Sequence, residues 1–120
     1  MKRLRFIPRK DFQKDLKELA RIDKTIIDDV MADIDLLCEN QQLPAEFMDH
    51  ALTGRLEGYR DFHVRTPEKG KSPVESNNVV VIYRIVENKL IVVGLRVGSH
   101  SKLFNGLNSS VKYKNNRLKN

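Results

Sequence analysis

The sequence predicts an α+β domain of order β-α-α-β-β-β, with a two-helix hairpin packed on one face of a mainly antiparallel four-stranded sheet. Three observations predict it. Apolar residues recur at helical spacing in two consecutive segments of the first third of the chain. Short segments of strand length stand before and after those helices. The last two strand segments are joined by Glu87-Asn88 alone, so they pair as an antiparallel hairpin.

At 3–8, RLRFIP sets Leu4 and Phe6 on one side and Arg3 and Arg5 on the other, and Pro8 ends the strand. Asp11 is placed to cap a helix in which Phe12, Leu16 and Leu19 follow at helical spacing. After a break at 21–24, Thr25 is a second capping residue. Ile26, Val30, Ile34 and Leu37 then form one stripe, widened by Ile27, Met31 and Cys38, while Asp28, Asp29, Asp33, Asp35 and Glu39 mostly take the solvent side. Asn40 to Pro44 ends that helix. Residues 45–58 read as a connector, with Gly54 and Gly58 permitting turns.

From Tyr59 the period becomes two: Tyr59, Asp61, His63 and Arg65 point one way, and Arg60, Phe62 and Val64 the other. The polar stretch 66–78 reads as a flexible loop. VVVIYRIV (79–86) and KLIVVGLRV (89–97) follow as long β-branched strands. These are too apolar for two wet faces, so the helices cover one face and the other can remain open. Arg96 shares parity with Gly94 and Gly98, which suggests an open floor for a ligand.

With 120 residues the chain is long enough for one domain with a small core. Residues 1–106 are expected to form it, and 107–120 a basic, flexible tail. The single cysteine, Cys38, has no partner for an internal disulfide, which fits a reducing compartment. No apolar run approaches ~18 residues, and MKRLRFIPRK lacks an apolar signal core. The expectation is a soluble cytoplasmic protein with no membrane contact. Net charge is +6 and unevenly placed: residues 21–58 carry −6, and the segments on either side are basic. Such polarity steers a polyanion toward one face.

The three histidines fall in distinctive phrases: His50 in MDHALTG, His63 in GYRDFHVR and His100 in GLRVGSHSKLF. They lack the close spacing of a zinc site and no cysteine cluster accompanies them, so neither metal nor cofactor is expected. Plainer roles are open to each singled-out residue. His50 and His100 can cap turns, His63 can be a cross-strand partner, Arg96 can pair with Asp61, and Phe104 can plug the core.

DHALTGRLEGYRDFHVR (49–65), the strand ending IYRIV and LRVGSHSKLF (95–104) together resemble the YafQ-type branch of the RelE/ParE toxin superfamily. The resemblance reaches to about Gly106 and agrees with the predicted element order. It implies the toxin of a type II toxin–antitoxin system, an endoribonuclease that cuts mRNA on the ribosome. It also implies silencing by a small acidic antitoxin of the DinJ/RelB kind. The catalytic histidines implied are His50, His63 and His100, with Arg96 as the strand arginine and Phe104 as the C-terminal aromatic. Asp61 and Arg65 join Phe104 as candidate substrate contacts. Family members carry an Asp-Trp pair just before the IYRIV strand. Here Asn77, Asn78 and Val79 stand there after a longer loop, so the acid is either supplied by Asp61 or Glu75 or missing.

RNA cleavage without a metal needs a base for the 2′-hydroxyl proton, an acid for the leaving 5′-oxygen and a cation for the phosphate. Histidine suits the first two tasks because its pKa lies near working pH, and such catalysis contributes ~10²–10⁴-fold per group. Arginine suits the third, since its planar fork meets phosphate oxygens in pairs. An aromatic such as Phe104 or Tyr59 can stack on a base. A second function class is a non-catalytic or gyrase-directed toxin of the same fold that acts by binding.

Overall fold

Alternation at the start of the chain becomes strand β1 (Arg5–Pro8), which leads into helices α1 (Lys10–Ile22) and α2 (Thr25–Asn40) in a computed structural model that describes residues 3–105. Asp11 is not the cap of α1. It lies in the first turn, and Arg9 precedes the helix with no side-chain cap; a carboxylate there still opposes the positive end of the helix. Thr25 does not cap α2 either. Lys24 is the N-cap, without a side-chain cap bond, and Asp23 before it ties the first helical residue, its Oδ1 accepting the Thr25 N–H at 2.9 Å and the Thr25 hydroxyl at 2.6 Å. Helix α2 closes at Gln41, which is left-handed (φ 61°) and donates its N–H to Leu37 at 2.7 Å.

Residues 45–58 are more than a connector. They hold two short 3-10 turns and a two-residue strand, β2 (His50–Ala51). Strands β3 (Arg60–Arg65), β4 (Val79–Val86) and β5 (Ile91–Gly98) follow, then a short helix α3 (His100–Asn105) that the sequence reading did not include. The sheet therefore has five strands, in the order β1-β5-β4-β3-β2, where four were expected. Two residues are too few to show a period, which is why β2 escaped. Strand β1 runs parallel to β5, and every other pairing is antiparallel. The β4–β5 connection is a turn over Glu87–Lys89 followed by left-handed Leu90 (φ 56°), longer than Glu87-Asn88 alone.

Helices α1 and α2 cover one sheet face, as expected. Phe12, Ile26, Val30 and Leu37 pack there on Phe62, Val81 and Tyr83, all essentially inaccessible. Burying each such side chain contributes about 1.5–3 kcal/mol before conformational entropy is counted. The opposite face is not open. Leu52 and Leu56 from the connector and Leu103 and Phe104 from α3 close over Val80 and Ile82 as a second, smaller core.

Two bulges break the period-two reading. Pairing passes from Ile82–Arg96 to Tyr83–Gly94, which leaves Leu95 extra in β5. Gly94 consequently looks toward the Phe6 and Phe12 rings while Gly98 looks toward Leu103, so the two glycines and Arg96 do not form one floor. In β3 the pairing skips Val64 between His63–Val80 and Arg65–Val79. That skip turns Arg65 to the α2 side. There it bonds Asp29 Oδ2 at 2.8 Å, Thr25 Oγ1 at 2.9 Å and the Ser76 carbonyl at 2.8 Å. Asn77 ties the same loop, accepting the Val74 N–H at 2.8 Å and donating to the Ser72 carbonyl at 3.2 Å. The 66–78 loop is thus pinned along its second half.

Candidate active site

Three elements bring the histidines together. Strand β2 supplies His50, β3 supplies Asp61 and His63, and α3 supplies His100 and Phe104. Residues His50 and Asp61 are direct cross-strand partners in the β2–β3 ladder. The His50 Nδ1 lies 3.1 Å from Asp61 Oδ1 and 3.0 Å from the Met48 carbonyl. Both neighbours are acceptors, so Nδ1 is the nitrogen that carries the proton, and Nε2 is left for chemistry. The Asp61 carboxylate is fully buried, while the His50 side chain is 41% exposed.

His63 is more enclosed. Its ring centroid is 6.4 Å from that of His100, and the His100 ring is 4.9 Å from that of Phe104. Burial lowers the His63 pKa below its ordinary value of 6.5, and the nearby His50 lowers it further. Its Nδ1 is buried without a hydrogen-bond partner among the described residues. The imidazole is therefore neutral at working pH, a state that accepts a proton. A cleft of about 220 Å³ adjoins it, lined by Asp33, Glu46, Phe47, His63, Val64 and Thr66. Within that lining, burial and the charge of Asp29 push Asp33 up to about 6.

The remaining expected residues lie differently. The Arg96 guanidinium is turned to α1, where Nε and Nη2 fork onto the Asp15 carboxylate at 2.7 and 3.1 Å. Asp15, not Asp61, is its ion-pair partner. Phe104 is 5% exposed and belongs to the second core. Arg65 is engaged by α2 and the loop, as described above, and does not join the histidines. The expected basic tail, 107–120, lies outside the described residues.

Two residues with a bearing on the site were not singled out from sequence. Asp15 is a buried acid between Phe12 and Leu19 on the apolar side of α1, and that misplaced charge was the available signal. Asp49 precedes His50 and is bonded by Arg60 Nε at 2.7 Å and by the Tyr83 hydroxyl. This clamp and the His50–Asp61 contact hold the two-residue strand β2 through neighbouring side chains.

No group of three or more His, Cys, Asp or Glu side chains suited to holding a metal ion occurs among the described residues. None of the described helices is long and apolar enough to cross a membrane.

Solved structures share this architecture. The DinJ–YafQ toxin–antitoxin complex of Escherichia coli matches with a TM-score of 0.63 and 28% identity, over 86% of this chain and 99% of that one. A YafQ mutant from Escherichia coli gives 0.58 and 29%, over 82% and 96%. A copper-bound mutant toxin from Helicobacter pylori gives 0.60 and 28%, over 84% and 99%. No curated protein sequence matches significantly. Residues 4–105 match the family model described as the bacterial toxin of a type II toxin–antitoxin system, YafQ. With nearly the whole described domain covered by that match, the chain belongs to the YafQ family of type II toxin–antitoxin toxins.

Proposed function

We propose that this toxin is a ribosome-dependent endoribonuclease that cuts mRNA by histidine acid–base chemistry, without a metal ion. The observation that carries the reading is the convergence of His50, His63 and His100 from three separate elements, with His50 aimed by a buried carboxylate. Scattered surface histidines have no reason to share one row of contacts.

His50 and His63 share the base role. His50 offers Nε2 while Asp61 steadies the charge it gains, and His63 starts neutral because it is buried. The deprotonated 2′-oxygen attacks the adjacent phosphorus. The bond to the 5′-oxygen of the next nucleotide breaks, and His100 donates the proton that oxygen takes up. The products are a 2′,3′-cyclic phosphate and a 5′-hydroxyl. Arg96, forked onto Asp15 through Nε and Nη2, steadies the phosphate with the in-plane N–H donors of Nη1.

Asp61 is a better replacement for the acid missing at Asn77–Val79 than Glu75, because it already contacts His50. Its burial suits orientation of His50 rather than contact with substrate. Phe104, at 5% exposure, backs the His100 ring and offers little face to a base. Half-buried Tyr59 is the better stacking aromatic. Arg65 serves the scaffold.

In the Escherichia coli toxin–antitoxin complex, YafQ is joined to DinJ. By likeness, this chain pairs with a small acidic antitoxin, complementary to its net charge of +6. Cytoplasmic action on mRNA at the ribosome completes the reading.

The test is incubation of the purified toxin with mRNA-programmed ribosomes in excess chelator. Cut transcripts ending in 2′,3′-cyclic phosphate support the proposal. Intact mRNA beside arrested growth on induction transfers the protein to the non-catalytic or gyrase-directed class.

A further inference from the structure

A charge buried on the apolar side of a helix costs stability unless its bonds are satisfied. Asp15 sits there, 4% exposed, where an apolar residue would continue the Phe12–Leu19 stripe. Its carboxylate is fully employed. Oδ2 accepts Arg96 Nε–H at 2.7 Å and the Val97 backbone N–H at 3.0 Å, and Oδ1 accepts Arg96 Nη2–H at 3.1 Å. Strand β1 pairs with β5 only from Ile91 to Gly94, so Val97 lies past the end of that pairing and its N–H is taken by a side chain instead.

We infer that Asp15 is a positioning residue for the active site, fixing Arg96 directly and His100 through the end of β5. This rests on the roles proposed above for Arg96 and His100. The chain from Val97 to His100 is three residues long and tightly held. Ser99 caps α3, its Oγ accepting the Lys102 N–H at 3.2 Å and its carbonyl accepting the Leu103 N–H at 3.0 Å. One turn beyond Asp15 on α1, Glu18 is the ion-pair partner of Lys102 on α3. Helix α1 therefore grips both the end of β5 and the start of α3. The base side of the site is set by β2 and β3, and the acid and phosphate side is set from α1. An aliphatic residue at 15 would pack well but would leave the guanidinium without a fixed rotamer.

Asp15→Asn separates positioning from folding. The asparagine keeps an oxygen for the Val97 N–H but turns an amide toward the guanidinium, which it cannot clasp. For variants shown by thermal melting to be folded at the assay temperature, we expect kcat for ribosome-bound mRNA to fall about 10- to 100-fold, with KM within about 3-fold. In an Arg96→Ala background the same substitution should change kcat less than about 2-fold, because the group it positions is gone. The Arg96 Nε–H signal in nitrogen-15 NMR should exchange slowly with water in the parent protein and fast in Asp15→Asn. A full additive loss on the Arg96→Ala background, a loss confined to KM, or native kcat in Asp15→Asn would overturn the inference. If the parent protein cuts no mRNA, the nuclease reading fails. The NMR signal then still decides whether Asp15 sets Arg96, and a fast-exchanging Nε–H in the parent refutes it.

Discussion

His63 and His50 are both histidines of one strand pair, yet their surroundings give them different properties. Burial lowers the His63 pKa below 6.5, so the folded protein binds that proton at lower pH than the unfolded chain does. Below 6.5 the unfolded chain holds more protons at this histidine, so the His63 contribution to stability rises with pH through that window and levels off above it, opposed by Asp33, whose raised pKa favours the folded state at low pH. Urea unfolding across this range should show that slope in the parent and a shallower one in His63→Gln; parallel slopes would show that His63 is not the group. The same shift keeps the neutral form of His63 present under more acid conditions than an ordinary histidine allows, which extends its base role toward lower pH. A glycine offers a second residue-scale test. A Cβ at Gly94 would stand 2.7 Å from the Phe6 ring and 3.0 Å from Phe12. Gly94→Ala should therefore cost about 1–3 kcal/mol, read as a lowered urea midpoint, by forcing the packed ring pair apart.

Much of the element order could be read from the chain because helices and long strands write periods into it. The stripe Ile26–Val30–Ile34–Leu37 is the face that α2 buries, and VVVIYRIV is β4. Parity failed where the backbone is irregular. One extra residue at Leu95 and one at Val64 carry no sequence mark, yet they separate Gly94 from Gly98 and send Arg65 to α2. The histidine phrases singled out three residues that the fold brings near one another, but their geometry depends on β2 and α3, which are too short to show periodicity. Asp15 stands as an acid on the apolar stripe of α1 and was not singled out from the sequence. The short helix α3 also closes the second core, so its packing is measurable. Phe104→Ala should lower stability by about 3 kcal/mol in chemical denaturation. It should also loosen His100 and reduce cleavage in the fraction that remains folded. A neutral effect on stability would contradict the second core.

Along the chain, an acidic span at 21–58 that includes His50 separates basic segments, and the following basic segment carries His63 and His100. Two cores share the work: the large one under α1 and α2 makes the domain, and the small one under α3 builds the site onto it. The basic residues at 112–119 lie outside the described structure but contribute Lys112, Lys114, Arg117 and Lys119 to the net charge. If they touch ribosomal RNA, removing 107–120 should weaken ribosome binding and flatten its dependence on salt, each lost phosphate contact reducing the slope by roughly 0.7–0.9. Unchanged binding would confine recognition to the domain. On the proposed reading, three histidines from three elements form one ribonuclease site. Cleavage of ribosome-bound mRNA by His50→Ala, His63→Ala and His100→Ala tests it most directly. Each folded variant is predicted to lose about 10²–10⁴-fold in rate; near-parental cutting by all three would contradict the account.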